Sequence, residues 1–95
     1  MRVEATEDHL NWVNGLGDSV GRARIEARVD RLAHGNPGVH RVLSGGVREL
    51  KIDFWPGYRV YYAERIGVLI ILLAGGDEST QRADIAKALS LARQL

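Results

Sequence analysis

The sequence predicts an α+β fold: an N-terminal strand, two helices, a four-stranded antiparallel meander and a C-terminal helix, read as a single domain over residues 1–95. Three observations carry this. Apolar residues between Thr6 and His34 recur at three- and four-residue spacings, the period falls to two after Gly38, and a helical period returns from Ser79. At 95 residues the chain can bury roughly 60–70% of its unfolded surface, which supports one modest core and leaves no room for a second domain.

Met1 to Ala5 reads as a short strand with Val3 facing inward. Thr6 is a helix N-cap, followed by the acids Glu7 and Asp8, which suit the positive end of a helix. Leu10 pairs with Val13 and Trp12 with Leu16, so a short amphipathic helix is expected to end at Gly15 and Gly17. Asp18 or Ser19 caps a second helix that stops at Gly35-Asn36-Pro37-Gly38. Ile25, Val29 and Leu32 share its inner face, and Arg24, Arg28 and Arg31 form a stripe beside it.

"VHRVL" is the next strand, Ser44-Gly45-Gly46 a turn, and "VRELKIDF" alternates Leu50, Ile52 and Phe54 against Glu49, Lys51 and Asp53. A turn at Trp55-Pro56-Gly57 leads into "YRVYYAE", with Arg59 and Tyr61 on one side and Tyr58, Val60 and Tyr62 on the other. "VLIILLA" is apolar throughout, as expected of a central strand covered on both faces. "STQRADIAKALSLARQL" forms the last helix, its inner face made by Ile85, Ala88, Leu89 and Ala92. The small alanines of this face allow close packing on the sheet.

Composition narrows the function. Thirteen Lys+Arg against twelve Asp+Glu give a net charge of +1, so nucleic-acid binding must rest on where the arginines sit. The absence of cysteine excludes disulfide and thiol chemistry. Val68 to Ala74 is too short to span a membrane, which takes about 20 residues. "MRVEATEDHL" lacks the apolar core of a signal peptide, so a cytoplasmic protein is expected. His9, His34 and His40 show no metal-binding spacing. No metal or other cofactor is expected.

The candidate chemistry lies on the meander. If the two central strands pair about Trp55-Pro56-Gly57, then Lys51, Arg59 and Tyr61 meet on one exposed sheet surface: a fork and a point charge for phosphate, and a ring to stack on a base or give a proton. The plainer alternative is the solvated outer face of an antiparallel sheet. The Arg24, Arg28 and Arg31 stripe, with Arg48, either tracks a nucleic-acid backbone or makes ordinary helix-surface ion pairs. "AGGDEST" places two glycines and two acids before the last helix. The acids would repel a phosphate, and capping explains them more simply.

The element order, with "GVRELKIDFWPGYRVYYAE" and "LIILLAGGDESTQRADIAKA", resembles the RelE/ParE superfamily of bacterial toxins, and within it the HigB-like addiction module killer group. The likeness runs over nearly the whole chain. It implies a type II toxin, held inactive by a cognate antitoxin of helix-turn-helix type, that cleaves mRNA in the ribosome by metal-independent attack of a ribose 2′-OH. On that resemblance Arg59, in "GYR", stabilises the phosphate, Lys51 is a second cation or a base, and Tyr61 or Tyr62 stacks on a base. The sequence departs from the group at Glu78, where the turn commonly carries a lysine. Arg82, one turn along the helix, is the candidate substitute. Two other readings stay open: a ParE-like inhibitor of DNA gyrase without nuclease activity, and a catalytically weakened member that mainly binds its antitoxin.

Overall fold

The computed structural model describes every residue from Met1 to Leu95. The elements run β1 (Arg2–Ala5), α1 (Glu7–Asn14), α2 (Ser19–Ala33), β2 (His40–Val42), β3 (Val47–Lys51), β4 (Arg59–Arg65), β5 (Leu69–Gly76) and α3 (Gln81–Arg93), with a 3₁₀ turn at Glu78–Thr80 leading into α3. The architecture is the expected α+β order. The five strands form one sheet in the order β1-β5-β4-β3-β2. β2 to β5 are antiparallel neighbours, as short connections require, and β1 joins β5 in parallel. No helix is long and apolar enough to cross a membrane.

The starts of α1 and α2 are each capped by a side chain. Thr6 Oγ1 accepts from His9 N and also donates to Leu73 O at 2.6 Å, so the cap of α1 is tied to β5. Asp18 Oδ1 accepts from Gly21 N, and its Oδ2 accepts from the Tyr58 hydroxyl at 2.8 Å. These bonds hold the Asp18 carboxyl below its usual range, while burial and Asp18 push the Tyr58 phenol up to about 12.

Helices cover both faces of the sheet. On one face α1 and α2 enclose Val13, Ile25, Leu32, Leu50, Ile52, Val60, Tyr62, Ile70 and Leu72. On the other α3 lays Ala88 and Ala92 against Val47, Tyr61, Ala63, Leu73 and Ala74. The alanines allow this approach, as their positions in the sequence suggest.

Several sequence expectations need correction. In α1 the inner face carries His9 and Val13, while Leu10 is 46% exposed. β3 ends at Lys51 and not Phe54, because the chain turns back through short bonds from Phe54 N to Ile52 O and from Gly57 N to Phe54 O. The polar side of β3 and β4 is not solvated. α3 lies over it, leaving Glu49 4%, Arg59 6% and Tyr61 0% exposed.

β5 runs on through Gly75 and Gly76, past the predicted end at Ala74. A bulge against β4 between Tyr61 and Tyr62 turns both Leu73 and Ala74 toward α3. The two glycines then pass between helices at close quarters. A Cβ on Gly75 would overlap the Trp12 indole, and one on Gly76 would overlap the Asp84 carboxylate. Asp77 closes the strand by capping the 3₁₀ turn through Ser79 N and Thr80. The acidic, glycine-rich end of an apolar strand is thus a packing and capping device.

Candidate functional site

The site begins with register. Pairing of β3 with β4 sets Lys51 opposite Arg59 and Glu49 opposite Tyr61, and pairing of β2 with β3 sets Arg41 opposite Glu49. Directly opposite residues point to the same face. Where α3 begins, Gln81 reaches down to this face. A cleft of about 300 Å³ results, walled by His40, Arg41, Glu49, Lys51, Arg59 and Gln81. Three basic side chains, Arg41, Lys51 and Arg59, stand around one carboxylate.

Glu49 organises the floor. Its Oε2 accepts from Gln81 Nε2 at 2.9 Å and Arg41 Nη2 at 3.2 Å, while Oε1 lies 3.8 Å from Arg59 Nε. That last pair compensates charge at a distance beyond a hydrogen bond. Arg59 Nε and Nη1 are buried with no hydrogen-bond partner. A guanidinium withdrawn from water needs acceptors, and the oxygens of a phosphate can supply them.

The surrounding side chains divide the other roles. Lys51 is exposed at the rim. Its carbonyl accepts from Arg28 Nη1 at 2.6 Å, and Arg28 Nη2 also donates to Pro37 O and Val39 O. Arg28 therefore braces the strand end, and both of its terminal nitrogens are engaged with backbone. His40 Nδ1 lies 2.8 Å from Gly38 O. Donation there leaves Nε2 as the ring atom available for proton transfer.

The remaining predicted residues separate into near and far. Arg82 is exposed and lines an adjoining cavity of about 300 Å³ with Arg41, Gln81 and Ile85, so it borders the site. Tyr61 lies beneath α3 and does not line the cleft; its hydroxyl has no partner. Burial first, then the Glu49 and Asp84 carboxylates, push the Tyr61 phenol above the ordinary tyrosine range. Tyr62 faces the opposite core at 1% exposure, so neither tyrosine offers a ring face to a base.

Arg48 sits opposite Tyr62 and donates to Glu64 Oε2 at 2.7 Å. It belongs to the other side of the sheet. Arg24 and Arg31 share a shallow cavity with Ile52 and Asp53, and Arg24 covers the Phe54 ring at 4.5 Å. Glu78 does not line the Arg59 cleft either. Its side chain lies over Gly57 and opens on a separate cleft beside Trp55.

Sequence reasoning missed Arg41, Glu49 and Gln81 as parts of one site. The alternation placed Glu49 beside Lys51 correctly, but only the position of α3 shows that this side is covered. His40, which the sequence marks only as a histidine without metal-binding spacing, also lines the cleft.

Comparison with known proteins agrees with this architecture. No family model matches the chain. An uncharacterized protein of Haemophilus influenzae is 42% identical over 95 residues, covering 100% of this chain and 96% of that protein. The crystal structure of the intact E. coli RelBE toxin–antitoxin complex superposes with a TM-score of 0.66 at 20% identity, over 80% of this chain and 94% of the matched one. A mutant of the E. coli toxin RelE in the free state gives a TM-score of 0.66 at 21% identity, over 98% of this chain and 94% of that one. The chain therefore belongs to one family with the H. influenzae protein, and its fold is that of the RelE toxin.

Proposed function

We propose that this protein is the toxin of a type II toxin–antitoxin pair, in the HigB-like group, and that it cleaves mRNA on the ribosome in the cytoplasm. The observation that carries this reading is the unpartnered Arg59 guanidinium, buried at the floor of a cleft with Arg41 and Lys51 around it. Such a cleft is built to receive an anion.

Cleavage by a ribose 2′-OH needs three things: a group that takes the hydroxyl proton, a cation where phosphate charge accumulates, and a donor for the departing 5′-oxygen. Arg59 holds the phosphate, and Glu49 keeps its fork in place. His40 Nε2 takes the proton from the 2′-OH. The Lys51 ammonium stands at the rim as second cation and proton donor to the 5′-oxygen, and Arg82 adds charge from the adjoining wall. Tyr61 acts as a neutral support beneath Arg59. No step needs a metal ion. The cognate antitoxin, of helix-turn-helix type, neutralises the protein by covering this cleft with carboxylates that face Arg41 and Lys51.

The test is inducible expression of wild type and Arg59→Ala without antitoxin, with mapping of mRNA 5′ ends alongside growth. Codon-phased cuts that vanish in Arg59→Ala are expected. Growth arrest with intact mRNA would instead identify a target such as DNA gyrase, and loss of arrest altogether would leave an antitoxin-binding role.

A further inference from the structure

The expected base-stacking tyrosines are buried, yet one aromatic ring stands in solvent. Trp55 is 87% exposed, at the tip of the turn joining β3 to β4. It lies four positions along the chain from Lys51, so it is within about 14 Å of the cleft rim. With Pro56, Asp77, Glu78 and Ser79 it lines a cleft of about 550 Å³. Asp77 is engaged in capping, since its Oδ1 accepts from Ser79 N and Ser79 Oγ. The exposed Glu78 carboxylate takes no part in that cap and sits over Gly57, beside the Trp55 ring.

We infer that Trp55 and Glu78 form a nucleobase pocket that selects guanine next to the scissile phosphate. This inference rests on the ribonuclease reading above. An indole face stacks on any base. A carboxylate accepts only, and it accepts two parallel donors well. Guanine presents such a pair at N1–H and N2–H, adenine and cytosine present one amino group, and uracil presents a single N–H between two carbonyls. Ring and carboxylate together therefore favour guanine and disfavour uracil. The Arg59 cleft meanwhile holds the phosphate, so the Glu78 charge meets a base edge and not the backbone. The acid in place of the group's usual lysine becomes a reader of sequence.

The experiment is a cleavage assay on programmed ribosomes carrying codons with each base at each position. Wild type, Trp55→Ala, Trp55→Phe, Glu78→Gln and Arg59→Ala are compared, together with affinity for the antitoxin. Trp55→Ala is expected to slow cutting of every codon by about tenfold or more, with Trp55→Phe restoring most of it. Glu78→Gln is expected to lower the preference for guanine over uracil by about tenfold, slowing guanine codons and quickening uracil codons as the amide donates to a uracil carbonyl. The pocket is disproved if Trp55→Ala and Glu78→Gln keep wild-type rates and preferences while Arg59→Ala is inactive; the ribonuclease reading then stands. Unaltered cutting with weakened antitoxin binding would also overturn it, and would assign the ring and carboxylate to a basic side chain of that partner. If wild type cuts no codon, both readings fall.

Discussion

The two faces of the sheet are closed in different ways. Against α1 and α2 lie Leu50, Val60, Tyr62, Ile70 and Leu72, and the Tyr58 hydroxyl at their margin is bonded to Asp18. Against α3 the apolar contacts are smaller, four of the seven buried residues being alanine or valine besides Ala92, and three of the five buried side-chain atoms without a hydrogen-bond partner belong to Arg59 and Tyr61. Unsatisfied buried polar groups cost stability. The α1/α2 face carries the larger apolar contacts, and the α3 face carries more of the unpartnered polar atoms.

That contrast predicts opposite responses to substitution. Leu50→Ala, on the apolar face at 0% exposure, should lower the unfolding free energy by about 2–5 kcal/mol, read as a fall in the denaturant midpoint. Arg59→Ala should reduce mRNA cutting by about 10²–10³-fold, the usual loss when a preorganised charge donor is removed. It should change the denaturant midpoint little, because Arg41 and Gln81 still bond Glu49. A destabilisation by Arg59→Ala as large as that of Leu50→Ala would break the comparison, since Arg59 would then be a structural ion-pair residue.

Much of the fold was legible because local signals agreed with one another. Thr6 and Asp18 cap their helices, Ile25 and Leu32 are buried at helical spacing, and the glycine turns bound the strands. The site was legible in part. Alternation on β3 and β4 correctly placed Lys51 and Arg59 side by side, yet it said nothing about what covers them. A charged strand face looks the same in sequence whether water or a helix of small residues lies above it. That ambiguity concealed the burial of Glu49, Arg59 and Tyr61, and Tyr62 was offered as a base stacker although it packs in the opposite core. Arg28 reads as part of a surface stripe, and only the return of Pro37 and Val39 beside it reveals a brace. Trp55 reads as a turn residue until its exposure is known.

The junction between the faces gives a smaller effect. Thr6 caps α1 and bonds Leu73 O on β5, so Thr6→Ala should cost about 1–2 kcal/mol. Hydrogen exchange should show faster opening of α1, with α3 protected as before. Equal loss of protection in α3 would mean that the two faces do not open independently.

The smallest effect tests how well the apolar face excludes charge. His9 is 4% exposed, packs edge-on to Trp12 at 5.7 Å between centroids, and leaves Nδ1 without a partner. Burial holds its pKa below the usual histidine value, against a backbone hydrogen bond with Ala74 that raises it. The folded protein thus binds this proton less readily than the unfolded chain does. The His9 contribution is intact above about pH 6.5, and it is lost as pH falls from there through the lower folded-state value. The slope is at most about 1.4 kcal/mol per pH unit for one proton. Unfolding curves of wild type should weaken over this window, and those of His9→Gln should stay flatter there. Carboxylates such as Asp18, whose pKa is lowered in the fold, keep their contribution down to about pH 4 and lose it only below that, a separate range. Parallel pH profiles for wild type and His9→Gln would show that the ring takes up its proton in place, and that this face is less dry than its apolar neighbours suggest.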